Sequence, residues 1–264
     1  MAPKSSNDYA SIIIPGSFSL PGSYTKLITA LQSTNNAPAT AIALPSVNDG
    51  TKFPPATLTD DVDLIRASML AVLDSPSDPR DVVLICHSYG GLPGTCAVEG
   101  LSRSARASQG KTTAVVGIVY MAAFILPNGT CMRDTMGPIA PEEYRIGVRG
   151  GYLPAPPDEL MVACFNDVPR EEALKSLKQT ALQSSDSYDG KVWFEGWREV
   201  PSLQILPGGD VVVSREKHEE MFSNTKAAGA NIVQKIFEGA SHGLMLSIPD
   251  KIAVAVRQFV DGEL

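Results

Sequence analysis

With 264 residues, 44% of them hydrophobic and 19% charged, the chain has ample apolar material for a core and too little charge to stay disordered. Its 22 Lys and Arg against 29 Asp and Glu give a formal charge of −7; without a basic stripe, that balance argues against nucleic acid or an anionic membrane as a partner. No apolar run is long enough to span a bilayer, and the polar Met1–Asp8 followed by the short apolar Ala10–Ile14 lacks the pattern of a secretory signal.

The first predicted strand, Tyr9–Ile14, runs into Pro15-Gly16-Ser17-Phe18, and a helix is expected over Gly22–Leu31 after Pro21. A strand over Ala39–Leu44 precedes a helix over Leu58–Leu73, which Thr59, Asp60 and Asp61 open as capping and dipole-complementing residues. Next come a strand at Val82–Cys86, a helix at Leu92–Leu101 and a strand at Ala114–Tyr120. The rhythm then breaks. From Leu126 to about Val200 there is no convincing buried strand, many prolines (Pro138, Pro141, Pro154, Pro156, Pro157, Pro169), a helical segment at Arg170–Gln183, and then Trp193 and Trp197. A structureless loop of that length is unusual in a compact domain, so residues 126–200 are expected to form an inserted cap within a single domain spanning 1–264.

The rhythm resumes with a strand at Ser202–Leu206, a helix at Arg215–Ala228, a strand at Asn231–Phe237 and a helix at Pro249–Phe259, whose Pro249 suits a first helical position. The strands are near-continuous apolar runs, as expected of strands buried on both faces of a parallel sheet. The predicted fold class is therefore α/β: a doubly wound, mostly parallel six-stranded sheet with an inserted helical cap. Cys86, Cys96, Cys131 and Cys164 fall at irregular spacings with no CxxC pair. They read as reduced thiols of a cytoplasmic protein, Cys86 as a buried one, and no metal site is expected.

The chemistry concentrates in Val82-Val83-Leu84-Ile85-Cys86-His87-Ser88-Tyr89-Gly90-Gly91. A strand running straight into a serine flanked by small residues, with a helix immediately after, is the pattern of a nucleophile elbow. The competing reading of Ser88 is an ordinary helix N-cap. Small residues are needed two before and two after the serine, because strand and helix pass close there. Gly90 meets that need, and Cys86 replaces the usual first glycine. The helix N-terminus behind Ser88 aims backbone N–H groups at a developing oxyanion.

Three histidines compete for the role of base. His87 belongs to the turn and points elsewhere. His218, in the charged stretch with Glu216, Lys217, Glu219 and Glu220, reads as a solvated surface residue. His242 follows the last strand in a loop of small residues, at the strand end where catalytic groups gather; the alternative is a loop histidine bonded to backbone. Asp210, after Pro207-Gly208-Gly209, is the candidate acid, against a turn-stabilising role. The segment after Tyr120, Met121-Ala122-Ala123-Phe124, offers no carboxylate. The first turn supplies the expected oxyanion donors, the N–H of Ser17 with that of Tyr89, and Phe18 is the alternative by a one-residue shift.

These residues together resemble the α/β-hydrolase superfamily, in particular its small esterase and hydroxynitrile-lyase-like branch. The resemblance spans nearly the whole chain: Pro15-Gly16-Ser17, His87-Ser88-Tyr89-Gly90-Gly91, the strand ending Tyr120-Met121-Ala122-Ala123-Phe124, Phe165-Asn166-Asp167-Val168-Pro169 with Gln183-Ser184, and the Asp210 and His242 loops. Most relatives begin the first turn with His-Gly where this chain has Pro15-Gly16. The order Ser88, Asp210, His242 matches the superfamily. The branch holds both ester hydrolases and carbon–carbon lyases. Its lyases carry a Thr after the first-turn His and a Lys after the catalytic His, where this chain has Gly16 and Gly243, which disfavours lyase chemistry of that kind. Ser88 likewise excludes relatives with an Asp nucleophile.

The expected function is a serine hydrolase that cleaves an ester or lactone of a small, largely uncharged molecule through an acyl-enzyme, with no metal or organic cofactor. The alternatives are a non-hydrolytic lyase, cyclase or isomerase, a slow-turnover ligand receptor, or an inactive relative. Phe18, Phe124 and Trp193 are expected to contact substrate, with Trp197, Phe165, Met132 and Met136 completing an apolar wall. A small-molecule substrate is the expected partner, with no nucleic acid or membrane, and the chain is expected to be a monomer or homodimer.

Overall fold

The computed structural model describes residues 9–136, 151–155 and 158–264. Pro138, Pro141, Pro156, Pro157 and the side chain of Met136 lie outside the described residues. The strands are β1 (Tyr9–Ile14), β2 (Ala39–Ala41), β3 (Val47–Asn48), β4 (Asp81–His87), β5 (Val115–Met121), β6 (Tyr152–Leu153), β7 (Leu182–Ser184), β8 (Ser202–Pro207) and β9 (Ile232–Phe237). Six of them form one sheet in the order β2-β1-β4-β5-β8-β9, and every pairing in it is parallel.

The continuous apolar runs have a direct structural cause. Along β1 and β4, Ile12, Ile14, Leu84 and Cys86 enter one core, packed with Val62, Ile65 and Met69 of α2 (Leu58–Leu73 of the helices below). The alternate residues Ile13, Val83 and Ile85 enter a second core on the opposite face, with Leu27, Leu31, Ile252 and Val256. Both faces are therefore apolar, as a doubly covered parallel sheet requires.

In chain order the helices are α1 (Thr25–Asn35), α2 (Leu58–Leu73), α3 (Gly91–Ala97), α4 (Arg103–Ser108), α5 (Met132–Met136), α6 (Asp158–Ala163), α7 (Arg170–Leu177), α8 (Asp186–Asp189), α9 (Arg215–Ala227), α10 (Leu244–Ser247) and α11 (Pro249–Val260). The N-cap of α2 is Thr57 rather than Thr59: its backbone N–H donates to Asp60 Oδ2 at 2.7 Å, and its Oγ1 accepts from Asp60 N at 3.3 Å, a reciprocal capping box. The helix expected over Leu92–Leu101 ends at Ala97, and Ser102 caps the short α4, which sequence patterning had not marked.

The largest departure lies between β5 and β8. The helix expected over Arg170–Gln183 stops at Leu177, and Leu182–Ser184 is a strand. That strand pairs antiparallel with β3 (Val47↔Gln183) and with β6 (Leu153↔Gln183) to make a second, three-stranded sheet. Strands of two or three residues carry no readable period, and β3 lies far upstream in sequence. Among the described residues no helix is long and apolar enough to cross a membrane. All four cysteines are free thiols, with Cys86, Cys96 and Cys131 buried.

Candidate active site

Parallel strands deliver their C-terminal ends to one rim, where connecting loops can converge on a ligand. At the end of β4 the chain turns abruptly, and Ser88 takes φ +51°, a left-handed conformation that is strained for a residue with a side chain. The turn closes because its neighbours are glycines. A Cβ on Gly90 would stand 2.5 Å from the Ile14 carbonyl oxygen, and one on Gly91 would run into the carbonyl of Phe124. The place of the usual first glycine is taken by Cys86, whose sulfur occupies the space that a Cβ on Gly94 of α3 would need.

Asp210 leaves β8 through Gly208-Gly209 with its side chain fully buried. Its Oδ1 accepts the N–H groups of Val212 (2.8 Å) and Val213 (3.1 Å). Its Oδ2 pairs with His242 Nδ1 at 2.8 Å and with His218 Nε2 at 3.2 Å. Burial pushes this carboxyl up, but the His242 charge and the hydrogen bonds from His218, His242 and Val213 outweigh it and hold Asp210 well below the usual carboxylate range. An ionised carboxylate can only accept, so the bond to His242 is donated by Nδ1–H.

His218 is therefore no surface residue: it is completely buried. The charged side chains of α9 mark its outer face, while His218, Met221 and Thr225, three, then four positions apart, form its inner face. That spacing was the signal that could have placed His218 inward.

His87 ties three turns together. Its Nε2 lies 3.0 Å from the His242 carbonyl, which can only accept, so Nε2 carries the proton. Its Nδ1 then accepts from Tyr24 Oη at 2.8 Å, and Tyr24 Oη in turn accepts the Gly16 N–H at 2.9 Å. Burial, aided by His242, pushes His87 down to about 3, so the ring stays neutral. Gly16 has no room for a side chain, because a Cβ there would sit 2.9 Å from His87 Nδ1 and 3.0 Å from Ser88 Cβ.

The two readings of the first turn separate here. Phe18, at φ +62°, already donates its N–H to Gln183 Oε1 at 3.2 Å. Ser17 is anchored instead through its side chain, with Oγ accepting from Tyr188 Oη at 2.6 Å. On the other side, Tyr89 Oη donates to Asp61 Oδ2 at 2.7 Å, and Ser46 supplies that carboxylate with N–H (2.9 Å) and hydroxyl (2.6 Å) donors. Burial nevertheless dominates and pushes Asp61 up to about 6. Tyr24 and Tyr188 carry no mark in the sequence, while Asp61, Gln183 and His218 read there as a helix-opening residue, a helix end and a surface residue; only the folded chain brings them to the site.

A cavity of about 200 Å³ opens above these residues. Ser88 and His242 both face it, Ser17, Phe18 and Phe124 contribute to its wall, and Met132 and Phe165 join them. Among the described residues, no Asp, Glu, Lys or Arg lines it. Ser88 Oγ makes no hydrogen bond among the described residues, a looseness that catalytic pairs commonly show until substrate is bound.

Two expected wall residues are elsewhere. Val192 is buried by paired backbone bonds with Gly129 and Thr130, which turns the next residue, Trp193, outward to 39% exposure. Trp197 is buried away from this cavity, with the Arg198 guanidinium 4.5 Å from its ring centroid.

The chain and its fold have counterparts among known proteins. The model described as the alpha/beta hydrolase family matches residues 12–255. "Probable hydrolase R7" of Phoma sp. is 29% identical over 247 residues, covering 94% of this chain and 96% of its own. Among solved structures, a pyrethroid hydrolase from Sphingobium faniae JZ-2 superposes with TM-score 0.72 at 19% identity, covering 97% of this chain and 99% of that one. Polyneuridine aldehyde esterase superposes with TM-score 0.70 at 18% identity, with the same two coverages of 97% and 99%.

Proposed function

The chain belongs to the alpha/beta hydrolase family, and on that premise we propose that it is a serine hydrolase cleaving an ester or lactone of a small, largely uncharged molecule. The observation that carries the reading is the 2.8 Å bond from His242 Nδ1 to a buried Asp210, on the rim of the same cavity that Ser88 faces from its strained turn.

In this reading Ser88 Oγ attacks the carbonyl carbon while His242 Nε2 takes the hydroxyl proton. Asp210 stabilises the imidazolium that forms. The N–H groups of Ser17 and Tyr89 donate to the developing oxyanion. Collapse expels the alcohol, which leaves with the proton from His242. His242 then takes a proton from water, the hydroxide adds to the acyl carbon, and the acid departs as Ser88 recovers its proton. Residues 126–200 act as a cap, contributing Met132 and Phe165 to the wall. The apolar wall, without a charged side chain among the described lining residues, supports an uncharged substrate.

Lyase chemistry of the related kind finds no support at the two telling positions, Gly16 and Gly243. The Phe165 ring stands where a side chain on residue 243 would project. The test is a panel of p-nitrophenyl esters and lactones, assayed with wild type and Ser88→Ala beside labelling by a fluorophosphonate. Turnover and labelling that both vanish in Ser88→Ala are expected; unchanged turnover overturns the mechanism. Solvent oxygen from labelled water should appear in the acid product, and its absence favours the non-hydrolytic alternative.

A further inference from the structure

We infer that His218 is a positioning residue of the reaction, holding the Asp210 carboxylate toward His242 through its Nε2–H. The inference rests on the ester-hydrolase reading above. His218 does not line the cavity, so it acts through Asp210 and not on substrate.

The histidine is fully buried, and among the described residues its Nδ1 has no hydrogen-bond partner. A buried imidazole with one unsatisfied nitrogen is costly, and the only bond its ring makes among the described residues is to Asp210 Oδ2, at 3.2 Å. That bond completes a set of four donors around one carboxylate: Val212 and Val213 on Oδ1, His242 and His218 on Oδ2. Each lone-pair direction of Asp210 is thus occupied, which fixes the plane of the carboxylate as well as its charge.

The ring is itself held in register. Gln204 on β8 donates to the His218 carbonyl at 2.9 Å, and Gln234 on β9 donates to Gln204 Oε1 at 2.7 Å. Among the described residues, His242, His218, His87 and Cys164 are titratable groups that interact with Asp210. The side chains that β8 and β9 offer toward α9 at this point are the uncharged amides of Gln204 and Gln234.

Because His218 shares Oδ2 with His242, it takes up part of the basicity of the carboxylate. Without that donor, Asp210 stabilises the His242 imidazolium more, and Nε2 becomes available as a base only at higher pH.

The test compares kcat, KM and the pH profile of kcat/KM for wild type, His218→Leu and His218→Gln on one p-nitrophenyl ester. His218→Leu is expected to lose about tenfold in kcat with KM within about twofold, and its acid limb should move up by about half a pH unit or more. His218→Gln keeps an N–H donor and should recover most of kcat and the wild-type limb. A folded His218→Leu with wild-type kcat and limb overturns the inference. So do equal losses in both variants with unshifted limbs, the pattern of a packing role alone.

Should His218→Leu fail to fold, NMR of isotope-labelled wild type decides. A slowly exchanging His218 Nε2–H proton whose resonance moves in Asp210→Asn supports the inference, and a proton on Nδ1 overturns it. Wild type that binds no fluorophosphonate and hydrolyses no ester overturns the underlying reading instead; the NMR result still distinguishes the two failures.

Discussion

The sulfur of Cys86 fills the space above Gly94 where a side chain on α3 would otherwise stand. The exchange lets a larger residue sit two positions before Ser88 without forcing β4 and α3 apart. Gly94→Ala drives a methyl into that sulfur and is expected to cost about 1–3 kcal/mol by overpacking. Cys86→Ala with Gly94→Ala removes the clash, so the double variant should unfold in urea at a higher midpoint than Gly94→Ala alone. Simple additivity of the two single changes contradicts the pairing.

Tyr24→Phe removes a hydroxyl that serves two turns at once. It leaves the Gly16 N–H and His87 Nδ1 without partners in a buried setting, a loss of about 1–3 kcal/mol. Because both groups border the cavity, kcat should fall together with stability. Unfolding and ester turnover measured on the same preparation check this, and a stable variant with normal kcat contradicts it.

Asp61 ties folding stability to pH. Its native value, raised to about 6 from 3.8, means that the folded chain binds more protons than the unfolded chain between those values. Stability from this group is full below about pH 4 and declines as pH rises through about 6, by on the order of 2–3 kcal/mol. Asp61→Asn lacks the titration. The stability of wild type relative to this variant should therefore fall across that window in urea titrations, and a constant difference refutes the assignment.

Phe165 borders the cavity while its ring fills the space beside Gly243. Phe165→Ala should widen the site and raise kcat/KM for longer acyl chains relative to acetyl by about tenfold. A series of p-nitrophenyl esters of rising chain length reads the ratio, and an unchanged ratio places the acyl group elsewhere.

Much of this was legible in the sequence because its signals are local. The runs at Tyr9–Ile14 and Val82–Cys86 announce doubly buried strands, and Ser88, Asp210 and His242 each follow a strand end. What escaped notice is held by long-range contacts. The spacing of His218, Met221 and Thr225 marks an inner face of α9, but that this face meets Asp210 depends on how α9 packs beside β8. Gln183 reads as the end of a helix until β3 is seen beside it. Trp193 points outward because Val192 takes the inward place, an alternation visible only once residues 129 and 130 are known to pair with it.

The amide of Gln183 has two attachments: its oxygen accepts the Phe18 N–H, and its nitrogen donates to Ser187 Oγ. Its backbone lies in β7, between β3 and β6, both of which precede it in the chain. Any displacement of β7 therefore strains the bond that holds the Phe18 turn beside Ser17. The small sheet and the first turn of the large sheet are thereby tethered to each other through one amide side chain.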